Sequence, residues 1–127
     1  GVGFDMNGNP HHLWHLAPAL HPEAIKSYPS LAVTFALALI RRDVWGAVGG
    51  LDEGYINSYE DIDFCLRARE LGYMTWYAGG PSAIHLTGQT AGRNDHVQES
   101  WQHFSEKWLG TGRLHQVTGV WPIGAQS

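Results

Sequence analysis

Residues 32–40, AVTFALALI, are apolar nearly throughout, and this run limits the possible folds more than any other part of the chain. Its length and its β-forming side chains predict a strand that is buried on both faces. Such a strand needs a layer of chain on each side and neighbouring strands to satisfy its backbone. The run is too short to span a bilayer. It therefore predicts a layered domain without a membrane-spanning segment.

The rest of the pattern alternates helices with strands, which is typical of an α/β protein. Helices are predicted over residues 41–48, 60–71 and 94–109, and a glycine directly follows each of them. Short predicted strands cover residues 73–78 and 82–86. Residues 1–30 are rich in proline and turn residues, so we expect mainly loop there. The 127 residues suffice for one domain with a real core.

Charge and cysteine content exclude some classes of function. The net charge is −4, and the 8 lysines and arginines form no basic stripe, which excludes nucleic acid as a partner. Cys65 is the single cysteine, so no internal disulfide can form, and its place on the apolar side of a predicted helix fits a reducing compartment. We therefore expect a cytoplasmic protein, or one held at the cytosolic face of a membrane by parts of a longer chain.

Three carboxylates, from Glu60, Asp61 and Asp63, crowd the first turn of the helix predicted over residues 60–71. Asp61 falls on the same helix face as apolar side chains, so it is predicted to point inward. An inward carboxylate that is held by amide donors and open to a cleft can stay ionised and accept a proton. Asp63 is predicted to make a solvent-exposed i,i+4 ion pair with Arg67, contributing about 0.2–0.5 kcal/mol.

Helix capping is a simpler explanation of the same acids. Ser58 would cap the helix, and the acids would favour the positive end of its dipole, an effect of about 0.3–1 kcal/mol. A capping acid needs no apolar neighbours, however, and Asp61 has them. The pattern favours a base at Asp61 and leaves capping as the alternative.

Residues 33–86 resemble the carboxy-terminal half of family 2 glycosyltransferases of the GT-A fold. In that family an Arg-Arg helix is followed by a Gly-Gly-x-Asp-Glu loop, a Glu-Asp-x-Asp helix with a downstream Arg, a Gly-Tyr strand and a strand ending in His. The matching residues are Arg41-Arg42, Gly49-Gly50-Leu51-Asp52-Glu53, Glu60-Asp61-Ile62-Asp63 with Arg67, Gly72-Tyr73 and His85. The resemblance implies that residues 1–127 are the mixed-sheet, acceptor-side half of a GT-A domain.

The resemblance also implies inverting transfer of a sugar from a nucleotide-diphospho-sugar donor to a hydroxyl of a carbohydrate or glycan acceptor. The family's base corresponds to Asp61, and substrate-binding positions correspond to Asp52, Glu53 and Glu60. A divalent metal, Mn²⁺ or Mg²⁺, would stabilise the departing diphosphate, with His85 as a ligand. Two alternatives stay open, because Asp52 and Glu53 also suit a polar turn, and His85 also suits a semi-buried, hydrogen-bonded histidine.

The chain lacks the features of the family's amino-terminal half. Ahead of residues 32–40 there is no nucleotide pocket and no Asp-x-Asp motif for the metal. We therefore expect a fragment that alone transfers no sugar and binds nucleotide sugars no more tightly than about millimolar. The exposed sheet of a half-domain would pair with another copy, so we also expect the isolated chain to self-associate.

An alternative function is a histidine-based metal-binding or interaction module. His11, His12 and His15 form the sequence HHLWH, and His21 follows. No cysteine lies nearby, and no second group of ligands has zinc spacing. A purely structural α/β scaffold is the third alternative. The place of metal binding separates the first two, since the module would bind at HHLWH and the enzyme at His85.

Overall fold

The computed structural model describes residues 1–18, 20–81, 83, 91–92 and 94–119. Its helices, in chain order, are α1 (Arg42–Val48), α2 (Glu60–Glu70), α3 (Val97–Phe104) and α4 (Arg113–Thr118). A π-helical turn, Ser105–Leu109, continues α3. The strands are β1 (Val2–Phe4), β2 (Pro10–His12), β3 (Tyr28–Ser30) and β4 (Thr75–Tyr77). The described residues thus contain both helices and strands, as predicted.

Within the described residues, the strands form two small antiparallel sheets rather than the predicted mixed sheet. β1 pairs with β2, with Val2 opposite His12, and β3 pairs with β4. A single bridge joins Val2 to Ala32. Residues 1–30, predicted as mainly loop, contain three of these short strands, and the other described residues there form turns and irregular structure. The assignment to the GT-A fold stays a prediction.

The prediction of a doubly buried strand over residues 32–40 is wrong. Ala32 is fully buried, but the backbone turns at residues 35–37. Leu37 and Leu39 are exposed, with relative accessibilities of 66% and 101%. The apolar side chains of this segment therefore do not all reach the core.

The pairing of this segment explains why no strand forms. The N–H of Phe35 donates to the side chain of Asp61 instead of to a neighbouring strand. None of the described strands runs beside the segment beyond the bridge at Ala32. Strand propensity depends on cross-strand packing, so apolar composition alone does not make a strand here.

The predicted helices agree better with the structure. α1 and α2 begin and end within one residue of the predicted bounds. Gly49 and Gly72 follow them, each with a φ of 85°, a left-handed conformation that favours glycine. The helix predicted over residues 94–109 is α3 with its π-helical turn, whereas α4 was not predicted. β4 is shorter than the strand predicted over residues 73–78, and the strand predicted over residues 82–86 lies almost entirely outside the described residues.

The core is built around α2. The side chains buried there are Val2, Ala32, Tyr55, Ile62, Cys65, Leu66, Phe104, Trp108 and Leu114. Burial of Cys65 confirms its predicted inward position and raises the pKa of its thiol. Burying each of the larger apolar side chains contributes about 1.5–3 kcal/mol. Among the described helices, none is long and apolar enough to cross a membrane.

Asp63 lies at the centre of this core, so the prediction that it is solvent-exposed is wrong. Its side chain is fully buried. Oδ1 accepts hydrogen bonds from Trp108 Nε1 at 2.8 Å and from the Tyr55 hydroxyl at 3.2 Å, and it lies 2.7 Å from Lys107 Nζ. Oδ2 accepts from Arg67 Nε at 2.6 Å, which is the predicted i,i+4 pair in a buried setting. Burial, together with the negative charge of Asp63, raises the pKa of Tyr55.

Arg67 and Lys107 extend this network to the loop between α1 and α2. The Arg67 Nη1 and Nη2 atoms donate to the carbonyl oxygens of Val48 and Gly50 at 2.9 and 2.8 Å. Lys107 Nζ also donates to Asp52 Oδ2 at 2.7 Å. A buried charge is stable only when it is paired and hydrogen-bonded. The buried carboxylate thereby fixes α2 against the end of α1, the following loop and the π-helical turn.

Asp63→Asn should lower the free energy of unfolding by about 3–5 kcal/mol, because it leaves the largely buried Arg67 without its counter-charge and Lys107 with Asp52 alone. Urea unfolding followed by tryptophan fluorescence should show a lower midpoint. Asp43→Asn is the matched control, since Asp43 pairs with Arg41 on the surface and its loss should leave the midpoint unchanged. Equal midpoints for Asp63→Asn and the wild type would contradict the role of this network.

Self-association of the isolated chain stays a prediction, and the exposed Leu37 and Leu39 give it a definite surface. Light scattering over a concentration series should show an apparent mass that rises with concentration. The double variant Leu37→Ser/Leu39→Ser should reduce this rise. Leu20→Ser removes a leucine that is 83% exposed in another segment and should not reduce it. A wild-type chain that stays monomeric at high micromolar concentration would show that the prediction is wrong.

Candidate active site

A cleft of about 690 Å³ opens at the amino-terminal end of α2. Most of its lining comes from three segments, which are residues 57–62 at the start of α2, residues 34–36, and residues 10–12 of β2 with His15 in the turn that follows. Small-molecule sites in proteins typically have volumes of about 300–1,000 Å³. The cleft is therefore large enough for a sugar-sized ligand.

Asp61 lines this cleft and is partly buried, in agreement with its predicted inward position. Its Oδ2 accepts the N–H of Phe35 at 3.1 Å, and its Oδ1 accepts the N–H of Ile62 at 2.8 Å. These two hydrogen bonds from backbone N–H groups fix the orientation of the carboxylate. Of the ion pairs formed by the described residues, none includes Asp61. Each oxygen therefore keeps capacity to accept a further hydrogen bond from a ligand.

Glu60 lies beside Asp61 and also lines the cleft. Its Oε2 is buried and has no hydrogen-bond partner within the part of the chain that the structure describes. Buried polar atoms in native proteins nearly always have a partner. An unpaired carboxylate oxygen at the cleft is thus suited to accept a hydrogen bond from a bound hydroxyl.

The turn before α2 has a strained backbone. Asn57 and Tyr59 have positive φ values of 58° and 70°. Tyr59 is the residue that precedes α2, so Ser58 does not cap the helix and that part of the capping explanation is wrong. The Tyr59 ring packs 5.7 Å from the Trp101 ring and 5.5 Å from the Phe104 ring, between centroids. Such strain costs about 1–3 kcal/mol, persists where packing enforces it, and concentrates at functional sites.

His11, His12 and His15 line the same cleft, and we call them the histidine wall. The His12 and His15 rings stack with their centroids 6.2 Å apart. Among the described residues, no three or more His, Cys, Asp or Glu side chains are grouped so that they could hold a metal ion. The histidine-based metal module therefore gains no support, and the fold instead places the HHLWH segment in the same cleft as Asp61.

Asp52 lies in a different environment and does not line the cleft. Its Oδ1 accepts the Gly54 N–H at 2.9 Å, while its Oδ2 is 2.7 Å from Lys107 Nζ and 3.0 Å from His103 Nε2. Burial would raise the pKa of the Asp52 carboxyl, but these hydrogen bonds outweigh burial and hold that pKa well below its ordinary value. The Asp52 carboxylate is thus already bound on both oxygens by the protein.

Two other predicted site residues gain no support from the described structure. Glu53 is exposed in the turn after Asp52 and does not line the cleft. His85 lies outside the described residues, so its predicted metal role is untested. The described residues by themselves do not fit an Mn²⁺ or Mg²⁺ site, because no group of three ligands occurs among them. The substrate roles of Asp52 and Glu53 and the metal stay predictions.

Sequence reasoning did not foresee that the histidine wall and Asp61 would share one cleft. The available signal was Asn7-Gly8, a dipeptide that favours tight hairpin turns. Gly8 has a φ of 80°, and Asp5 Oδ1 accepts the N–H groups of Asn7 and Asn9 at 2.8 and 2.9 Å. This loop folds β2 back on β1, whose Val2 lines the same cleft as the histidines. The strain at Tyr59 had no sequence signal.

Comparisons with known proteins give partial matches. An uncharacterised protein of Sinorhizobium fredii, y4gI, is 35% identical over 65 residues, which is 50% of this chain and 7% of that protein. The N-acetylglucosaminyl-diphospho-decaprenol L-rhamnosyltransferase of Mycobacterium tuberculosis strain H37Rv is 34% identical over 56 residues, which is 44% of this chain and 18% of that protein. The same enzyme from strain CDC 1551 gives identical figures. No family model and no solved structure matches. The chain is thus similar to a glycosyltransferase over part of its length.

Acid should destabilise the fold partly through Asp52. A carboxyl whose pKa is lowered on folding stabilises the protein above its unfolded pKa, and this stability is lost as the pH falls through the folded pKa. We expect the free energy of unfolding to decrease as the pH falls below about 4, near the ordinary pKa of aspartate. Asp52→Asn should be less stable at neutral pH and should lose less stability in acid. Urea unfolding at several pH values measures both effects.

Glu53→Gln is the control for this prediction, because it removes an adjacent carboxylate that is exposed. Its stability should follow the wild-type pH dependence. An Asp52→Asn variant with the same acid dependence as the wild type would contradict the contribution of the Lys107 and His103 contacts.

Proposed function

We propose that this chain contributes the catalytic base to an inverting glycosyl transfer from a nucleotide-diphospho-sugar to an acceptor hydroxyl. The observation that carries the proposal is the carboxylate of Asp61, which is partly buried, oriented by two amide hydrogen bonds and open to a cleft of sugar size. The partial similarity to a rhamnosyltransferase supports glycosyl transfer at a coarse level.

In the proposed reaction, the acceptor hydroxyl attacks the anomeric carbon of the donor sugar from the face opposite the diphosphate. As the new carbon–oxygen bond forms, the bond from the anomeric carbon to the diphosphate oxygen breaks, and the hydroxyl proton passes to an oxygen of Asp61. The donor diphosphate leaves as an anion. A base must lie within hydrogen-bond reach of the proton it removes, about 2.6–3.2 Å. The Asp61 carboxylate is held in one orientation at the cleft, as a base that must meet the acceptor hydroxyl requires.

Glu60 has the second role in this proposal. Its buried, unpaired Oε2 would accept a hydrogen bond from another hydroxyl of the sugar substrate and so select the hydroxyl presented to Asp61. Asp52 and Glu53 remain proposed substrate contacts, but the structure supports them less than Glu60. Neither residue lines the cleft, and the Asp52 carboxylate already accepts a hydrogen bond from Lys107. Their loop would have to contact substrate through other atoms or from another side.

The donor, metal and acceptor remain part of the proposal. The donor would be a nucleotide-diphospho-sugar, and Mn²⁺ or Mg²⁺ would supply charge stabilisation to its diphosphate, with His85 among the ligands. The acceptor would be a carbohydrate or glycan. The M. tuberculosis relatives are named as L-rhamnosyltransferases of a diphospho-linked acceptor, so an activated L-rhamnose is a rational first donor to assay. We place the reaction in the cytoplasm or at the cytosolic face of a membrane.

Asp61→Asn in the full-length protein should lower turnover by about 10²-fold or more, because the amide cannot accept the hydroxyl proton in the transition state. The folded structure and donor binding should change little, since Asn retains the oxygen that accepts one backbone N–H. Initial rates with a panel of nucleotide-diphospho-sugars and acceptors, together with donor titrations, measure the two effects separately.

Asp43→Asn is the control for turnover, because Asp43 is a surface carboxylate of α1 that does not line the cleft. Its rate should match the wild type. If Asp61→Asn retains wild-type turnover, the base is another residue and the proposal is wrong.

A further inference from the structure

We propose that the histidine wall binds a phosphate group carried by the acceptor, so that the acceptor is an anionic, phosphate-linked sugar. This inference rests on the proposed function and adds the chemical class of the acceptor. It is carried by a juxtaposition in the fold, in which His11, His12 and His15 share one cleft with Asp61 and Glu60.

The backbone holds the histidine wall in place. β2 pairs with β1 so that His11 lies opposite Gly3 and His12 lies opposite Val2. The N–H of Leu13, which follows His12, donates to the carbonyl oxygen of Gly1 at 3.0 Å and extends the hairpin. The three histidine side chains are nevertheless exposed and are thus available to a ligand. His11 and His12 thus lie in β2, and His15 lies in the turn that follows it.

Charge explains why these residues suit a phosphate. No lysine or arginine lines the cleft among the residues described there, and its two carboxylates, Glu60 and Asp61, repel anions. Among the described residues that line the cleft, the histidines are therefore the only side chains that can become cationic. A neutral imidazole donates one N–H, and an imidazolium donates two and carries a charge. Charge-assisted hydrogen bonds to phosphate oxygens are about twice as strong as neutral ones.

The position of Asp61 in the cleft indicates that the bound phosphate belongs to the acceptor and not to the donor. In the proposed reaction Asp61 takes the proton of the acceptor hydroxyl, so the cleft that Asp61 lines receives the acceptor. The volume of about 690 Å³ admits a sugar together with a phosphate group. A phosphate bound by the histidine wall would place the sugar between the histidines and the carboxylates.

The first test detects phosphate binding without any need for activity. In the presence of a chelator, the protein with ¹³C-labelled histidine is titrated with a sugar 1-phosphate, with inorganic pyrophosphate and with the uncharged free sugar. We expect saturable shifts of the His11, His12 and His15 ring signals with both phosphates and none with the free sugar. Absence of shifts with the phosphates, or shifts that require added metal, would overturn the proposal.

The double variant His12→Gln/His15→Gln should weaken sugar 1-phosphate binding by about tenfold or more, the expected loss of two charge-assisted hydrogen bonds. His96→Gln is the matched control, because His96 is exposed, pairs with Glu99 and does not line the cleft. Its affinity should equal that of the wild type. Unchanged affinity in the double variant would overturn the proposal.

Binding should tighten as the pH falls from about 8 to about 6, the range in which imidazole gains a proton. The charged groups facing the histidine wall are Asp5, which interacts with His11, and Glu60 and Asp61 across the cleft. All three are carboxylates, which repel a phosphate rather than attract it. Affinity that does not depend on pH would contradict binding through imidazolium.

Steady-state kinetics separates acceptor from donor. In His12→Gln/His15→Gln, the KM for a phosphate-linked acceptor should rise about tenfold while the KM for the donor stays constant. A rise confined to the donor KM would overturn the assignment to the acceptor. This result can be told apart from the effect of losing the base, because Asp61→Asn should lower turnover by about 10²-fold or more and still bind the sugar 1-phosphate. If Asp61→Asn loses turnover but the wild type binds no phosphate, the proposed base stands and only the phosphate site is wrong.

Discussion

The buried carboxylate of Asp63 determines how the rest of the structure is arranged. A fully buried charge is tolerated only where cations and hydrogen-bond donors surround it. Here Arg67 comes from the same helix, Tyr55 from the preceding loop, and Lys107 and Trp108 from the π-helical turn. These partners lie up to 45 positions away from Asp63 in the chain. The network therefore fixes both the rotation of α2 about its axis and its position against its neighbours.

The rotation of α2 has a direct consequence for the cleft. Successive residues of an α-helix are turned by about 100°, so side chains two positions apart point about 200° away from each other. Because Asp63 faces the buried network, Asp61 must face the other side, where the N–H of Phe35 meets its carboxylate. Tyr59, held in a strained conformation by its ring contacts, sets the start of the helix at the same place. The buried network and the proposed base thus lie on different sides of one helix.

The parts of this arrangement that depend on local sequence could be predicted. The bounds of α1 and α2 follow from amphipathic patterns and from glycines with positive φ, and the inward side of Asp61 follows from helical periodicity. The burial of Asp63 could not be predicted, because its partners Tyr55 and Trp108 lie outside α2, and Trp108 is 45 positions away. The failed strand over residues 32–40 has the same cause, since a strand needs a partner that its own sequence does not specify. The meeting of the histidine wall with Asp61 likewise depends on tertiary packing.

The most direct measurement is a crystal structure of the full-length protein with an acceptor and an unreactive analogue of the donor. The attacking hydroxyl should lie about 2.6–3.2 Å from an oxygen of Asp61, within the cleft at the start of α2. The same structure should show a substrate hydroxyl at Glu60 Oε2, the buried oxygen that has no partner among the described residues. An acceptor hydroxyl bound instead at Asp52 or elsewhere, with Asp61 out of reach, would contradict the assignment of the base.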